Sequence, residues 1–209
     1  MRSYGEYCAI AKALDVVGDR WTLLIIRELA LRGPCRYTDL RGGLPGIATN
    51  LLADRLRELE RAGVIAREDA PPPIATALFR LTPRGEELRP VLDGLLQWGL
   101  PLMTEQAPED AVRSHWLAAA LGLLLTDRRP DGSPVTIELQ TGDQPIVIET
   151  RDGAIATRLG RAGRADATLT GPPRPILGLL LGRLALADAK AGGVDFHGDP
   201  AVLERVVSP

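Results

Sequence analysis

The chain has 209 residues, 45% apolar and 25% charged, with a formal net charge of −2, which describes a globular protein long enough for one large domain or two small ones. Its only cysteines, Cys8 and Cys35, are too few for a disulfide framework or a four-cysteine zinc site. The longest apolar runs, around Leu121–Leu125 and Ile176–Leu181, fall short of the roughly 20 residues of a membrane-spanning helix, and with no export pattern at the start the expected location is cytoplasmic, away from any membrane.

After Gly18-Asp19, the residues Trp21, Leu24, Ile25 and Leu29 recur at helical spacing, and Asp19 is placed to cap that helix. Gly33-Pro34 ends it. Tyr37 to Leu40 gives a short second helix before Gly42-Gly43, and Pro45-Gly46 makes a turn. A third helix is expected over Ala48 to Ala62, with Leu52, Leu56 and Leu59 inward and Gly63 as its stop. At about 100° per residue its far side then carries Asn50, Asp54, Arg57 and Arg61, flanked by Thr49 and Ala53. A short helix, a tight turn and a longer helix with a polar, partly basic outer face is a helix-turn-helix pattern. Val64 to Glu68 and Leu78 to Thr82 read as two strands joined across Pro71, Pro72 and Pro73, a hairpin wing.

Thr82-Pro83 starts a further helix with a side-chain cap and a proline at its first position. Along it Leu88, Val91, Leu92, Leu95, Trp98 and Leu102 repeat at three- and four-residue steps. The stripe serves either packing within the monomer or pairing with a second copy, as a homodimer on palindromic DNA requires. The proline- and acid-bearing stretch 101–112 sets the boundary between a first domain, 1–104, and a second, 113–209. The negative total hides a local excess: from Arg32 to Arg67 there are seven arginines against four acids, a balance of +3.

Three segments, CAIAKALDVVGDRWTLLIIREL, RYTDLRGGLPGIATNLLADRLRELERAGVI and LFRLTPRGEELRPVLDGLLQWG, resemble the HxlR family of winged-helix regulators over residues 8 to 99. The resemblance implies a dimeric transcriptional regulator that binds an inverted-repeat operator in double-stranded DNA, with the third helix in the major groove and the wing beside the minor groove. The DNA-facing set is then Arg36, Tyr37, Thr49, Asn50, Ala53, Asp54 and Arg57. Asn50 suits an adenine edge, Thr49 a phosphate or thymine methyl, and Arg57 a guanine or phosphate. Where relatives commonly carry serine, proline and lysine after the Gly-Ile of the turn, this chain has Ala48, Thr49 and Asn50. Arg67 and Arg80 on the wing strands are the expected backbone contacts. Cys8 matches an N-terminal cysteine with which several such regulators sense oxidants or electrophiles, Lys12 lying one helical turn away; it is either such a sensor or a small packed residue.

The second domain reads as a helix with Trp116, Leu117, Leu121 and Leu124, strands including VTIEL, PIVIE and ATLTG, an apolar helix over Pro175 to Leu184, and a closing helix near Ala201 to Val207. The expected class is therefore a mainly α winged helix-turn-helix domain followed by an α+β domain with a single sheet. The string ADATLTGPPRPILGLLLGRLALADAKAGGVDFHGDPAVLERV resembles sterol-carrier-protein-like domains. That likeness implies an apolar tunnel for a small apolar effector, lined by Leu177, Leu180, Leu181, Leu184 and Phe196. These residues otherwise fill an ordinary core, or the domain enlarges a dimer interface. With His115 and His197 the only histidines and no P-loop or nucleophile elbow, the reading includes no enzyme, metal or cofactor. Two alternatives stand beside the effector-responsive regulator: a thiol sensor acting through Cys8, and a lipid-binding module whose winged helix makes protein contacts.

Overall fold

The structure is a computed structural model that describes residues 3–69, 76–103, 107 and 110–207. The backbone divides into two compact units, the first ending at Leu102.

In the first unit α1 (Ala9–Val17) and α2 (Thr22–Arg32) precede the short strand β1 (Cys35–Arg36). They are followed by α3 (Tyr37–Gly43), α4 (Thr49–Arg61), β2 (Ile65–Asp69), β3 (Ala77–Leu81), α5 (Pro83–Glu86), α6 (Arg89–Gly99) and a 3-10 turn, Leu100–Leu102. The strands form one antiparallel sheet in the order β1-β3-β2. The expected hairpin is present with Arg67 opposite Phe79 and Glu68 opposite Leu78; Pro71, Pro72 and Pro73 lie outside the described residues. One apolar core joins Ile25, Ile26 and Leu29 of α2, Leu40 of α3, Leu52, Leu56 and Leu59 of α4, and Ile65, Phe79 and Leu81 of the sheet.

Several local readings are corrected. Leu24 is 40% exposed, and Ile25 with Ile26 takes the inward face of α2. Glu28 is fully buried beside them because Arg27 (2.9 Å) and Arg32 (3.6 Å) accompany its carboxylate. Asp19 does not cap α2 with its side chain: its backbone carbonyl accepts the N–H of Thr22 at 3.1 Å, while its carboxylate pairs with Arg55 of α4. The helix from Pro83 breaks after Glu86, where Pro90 enters the first turn of α6 and can neither donate an N–H nor clear the preceding carbonyl. Thr82 does cap α5, its hydroxyl accepting from the N–H of Gly85 at 3.1 Å.

The second unit runs α7 (Ser114–Leu124), β4 (Thr136–Gln140), β5 (Ile146–Arg151), β6 (Ala154–Leu159), β7 (Ala167–Thr170), α8 (Pro173–Leu180), α9 (Leu186–Ala191), β8 (Asp195–Gly198) and α10 (Pro200–Val206). Its five strands form a single sheet in the order β6-β5-β4-β7-β8, in which only the β4–β7 pair is parallel. Asp152-Gly153, with φ of 51° and 77°, supplies the two left-handed positions of the β5–β6 turn. Ile137, Leu139, Ile146, Ile148 and Leu169 from the strands join Leu117 and Leu121 of α7, Ile176 and Leu180 of α8, Ala189 of α9 and Leu203 and Val206 of α10 in one core. The apolar helix ends four residues earlier than its leucines suggest, because Gly182 turns left-handed at φ 69° just past the helix end.

Two buried polar contacts tie this unit together. Arg205 of α10 donates from Nε and Nη2 to Asp127 at 2.7 and 2.8 Å and from its guanidinium to the carbonyls of Gly132 and Ser133. Glu138, 7% exposed, accepts the backbone N–H of Ala162 at 2.7 Å and the Gln140 amide at 3.0 Å.

Candidate nucleic-acid interface

The first turn of α4 begins at Thr49 after an extended Ala48. Its carbonyl accepts the Tyr37 hydroxyl at 2.7 Å, so the start of α3 is tied to the start of α4. Asn50 satisfies an open helix-end donor by accepting the N–H of Leu51 at 3.0 Å. Over the buried leucine face of α4, Thr49, Asn50, Asp54, Arg57 and Arg61 are all exposed and Ala53 is half-buried. Arg57 and Asp54 hold each other at 2.6 Å on that face, 65% and 51% exposed. Such exposed pairs are weak and exchange readily for other partners.

The basic balance counted along the sequence is thinner in space. Arg55 pairs with Asp19 and with Glu58 at 2.8 Å, and Arg32 lies beside Glu28. The two wing arginines do not come together. Arg67 shares its face of the hairpin with Phe79, whereas Arg80 shares the other with Ala66. Arg80 is bound to Glu68 at 2.5 Å, while Arg67, 56% exposed, stands 3.9 Å from an 87% exposed Asp69. Arg36 is exposed at the entry to α3, where its backbone N–H donates to Asp39 at 3.1 Å.

A half-open cleft of about 460 Å³ lies behind α4, its walls including Tyr4, Leu14, Asp15, Asp19, Arg55 and Glu58. The loop between α1 and α2 forms part of it. In that loop Trp21 adopts a left-handed backbone, φ 80°, at a cost of roughly 1–2 kcal/mol for a residue with a side chain. Its ring reaches the Gly46 turn that leads into α4.

The HxlR-like helix-turn-helix family matches residues 16–107. The uncharacterised HTH-type transcriptional regulator sll1512 of Synechocystis is 34% identical over 105 residues, which are half of this chain and 77% of that protein. The chain belongs to the HxlR-like family. The HTH-type transcriptional regulator YodB of Bacillus subtilis is 33% identical over 86 residues, 41% of this chain and 76% of its own length. The solved reduced form of YodB aligns at 28% identity over 49% of this chain and all of that one, with a TM-score of 0.41. The first unit of this HxlR-like chain is thus a winged helix-turn-helix of a DNA-binding regulator, and its relatives are regulators rather than enzymes. The second unit is an α/β region built on its own sheet, and the family match ends at residue 107.

Two exposed features of this HxlR-like chain stand apart from the α4 face. The stripe expected on the terminal helix divides in two: Leu88 and Leu92 pack on the core of the unit, while Val91, Leu95, Trp98 and Leu102 are 46%, 44%, 71% and 67% exposed. Cys8 is exposed at the N-cap of α1. The N–H groups of Ala11 and Ile10, in the first turn, hold its thiol below the ordinary cysteine range; Lys12 instead faces Asp15 at 3.7 Å. Cys35 is the opposite case, buried and pushed up by desolvation. No helix among the described residues is long and apolar enough to cross a membrane. No cluster of metal-binding side chains occurs among them either.

Of the residues expected to line an apolar tunnel, Leu180 and Phe196 are buried in the core and Leu177 packs at its edge. Leu181 is half-buried, and Leu184 is 37% exposed.

Proposed function

We propose that the protein is a dimeric, effector-responsive transcriptional regulator that reads an inverted-repeat operator with α4. The observation that carries this reading is the exposed polar face of α4 above a buried leucine face in a chain of this family. In it Asn50 and Arg57 face base edges, Thr49, Ala53 and Asp54 flank them, and Arg36 and Tyr37 lie toward one phosphate strand. Asp54 releases Arg57 to DNA and is itself able to accept from a cytosine amine. Arg67 is the better placed of the two wing contacts, since Arg80 is held by Glu68. The outward 91, 95, 98, 102 spacing, alternating steps of four and three, is that of a helix seam and supports the homodimer. Operator binding is tested by titrating its own promoter DNA at several salt concentrations. Arg57→Ala is expected to lower the promoter-to-random affinity ratio roughly tenfold or more, the loss of one base-edge contact, and the reading fails if promoter and random duplex bind alike.

For the second unit, taken as 113–209 beside a DNA-binding domain of 1–104, the reading is a sterol-carrier-like fold that binds a small apolar effector. Its support is a five-stranded sheet sharing one core with four helices, with ADATLTG running through β7 into α8. Leu177, Leu180, Leu181, Leu184 and Phe196 are the residues proposed to meet the ligand. Displacement of a fluorescent fatty-acid probe, and a change in operator affinity on adding the fatty acid, test it; an unchanged probe signal rejects it.

The exposed Cys8 with its lowered pKa favours a second reading, a thiol switch. Under that reading Cys8→Ser stays on its operator when a mild oxidant or quinone is added, whereas the native protein leaves it. A variant that still dissociates removes the thiol from the mechanism.

A further inference from the structure

Arg55 and Arg57 sit two positions apart on α4, roughly 200° around the helix, and their environments differ accordingly. Arg57 is 65% exposed on the outer face. Arg55 is only 17% exposed, and its Nη1 contacts both Asp19 Oδ2 and Glu58 Oε2. Its Nε is buried without a hydrogen-bond partner among the described residues. With Nε buried and Nη1 shared between two carboxylates, the guanidinium is turned to the flank of α4 rather than to the outer face. Asp19, its partner, belongs to the α1–α2 loop, the same loop whose Trp21 ring meets the Gly46 turn. One loop therefore holds α4 halfway along, through Asp19, and lies close to the turn at its entry.

The leucines beneath α4 set how deeply it is buried, but apolar contact is non-directional and leaves rotation about the helix axis loosely defined. A charged, directional contact on the flank supplies what is missing. We propose that Arg55 is a positioning residue: through Asp19 it fixes the rotation of α4, and so the aim of Asn50 and Arg57, without touching DNA. The proposal rests on α4 being the groove-entering helix. Its signature lies in specificity, because base contacts depend on aim whereas phosphate contacts tolerate a few degrees of roll.

The test uses the full-length protein with its own promoter duplex and a random duplex of equal length. Arg55→Met is expected to reduce the specific-to-random affinity ratio at least tenfold, leaving the salt slope on random DNA unchanged and the melting temperature within about 3 °C. Asp19→Asn is expected to match it, Arg55→Lys to retain part of the ratio, and the exchange of Asp19→Arg with Arg55→Asp to restore much of it. A fall of about 1 in the salt slope for Arg55→Met overturns the proposal by making Arg55 a phosphate contact. An unchanged ratio in the folded variant, with or without a lower melting temperature, overturns it by making the pair merely structural. Arg57→Ala, measured alongside, separates the two levels. If it too leaves promoter binding intact, the groove assignment itself is wrong. If it weakens binding while Arg55→Met does not alter the ratio, only the positioning role falls.

Discussion

Trp98→Glu is the sharpest probe of how the first unit assembles. Trp98 is 71% exposed, flanked along α6 by Val91 and Leu95 at 46% and 44%. An aromatic side chain of this size presents up to about 250 Å², so about 180 Å² of ring awaits cover. At about 25 cal/mol per Å² its burial is worth up to about 4.5 kcal/mol per copy. Association costs and imperfect fit reduce this, and taking half leaves about 2 kcal/mol per copy, or about 4 kcal/mol for a symmetric pair. Glutamate forfeits that amount and sets two carboxylates near each other across the two-fold axis. The dimer dissociation constant is therefore expected to rise by between a hundred- and a thousandfold. Sedimentation equilibrium from nanomolar to micromolar protein reads this directly, and circular dichroism melts check that the monomer fold is intact. Operator binding should weaken in parallel, since a two-fold site then has to recruit two separate chains. A native protein that sediments as a monomer at tens of micromolar, or a variant that dimerises as tightly, refutes the seam.

Other expectations concern the buried charges. Glu28→Ala removes the carboxylate that accompanies Arg27 and Arg32 and lies beside Gly43 of α3. Since both arginines are partly exposed, a loss of roughly 2–4 kcal/mol is expected, below the full cost of breaking a buried pair; a urea midpoint that barely moves contradicts it. In the second unit the Arg205 guanidinium beside Asp127 holds that carboxyl below its ordinary value of 3.8. A depressed folded-state pKa contributes stability that is present above the ordinary value and lost as pH falls through the folded one. The second unit should therefore lose stability as the pH drops below about 4, and Asp127→Asn should be weaker at neutral pH with a flatter acid limb. A variant whose acid limb has the native slope assigns the effect to other carboxylates.

Much of the first unit was legible because its signals are local. Leu52, Leu56 and Leu59 at helical spacing before Gly63 place α4, and Thr82-Pro83 marks a cap, since each depends only on neighbours within one turn. What was not legible depends on distant partners. α1 buries only Ala11 and Val17 and turns Ile10 and Leu14 outward, so its pattern does not point to its own core. β1 is two residues long and exists because β3 is there to pair with it. The role of Asp19 was misplaced for the same reason, as Arg55 lies 36 positions away. In the second unit the run of leucines through Leu184 hid a helix end that Gly182 enforces. At the candidate interface, composition indicated the basic arginines but not which were already occupied, because occupancy is decided by contacts between elements.

The clamp between Arg205 and Asp127 spans 78 positions and is supplied by α10, made well after the strands it closes over. Until α10 emerges, the core of the second unit lacks Leu203 and Val206 as well as the guanidinium that satisfies the buried carboxylate. A prematurely terminated chain would thus pair a finished DNA-binding head with an open, greasy tail. An opened core of that kind is what proteases attack, so chains cut short before α10 are expected to be short-lived.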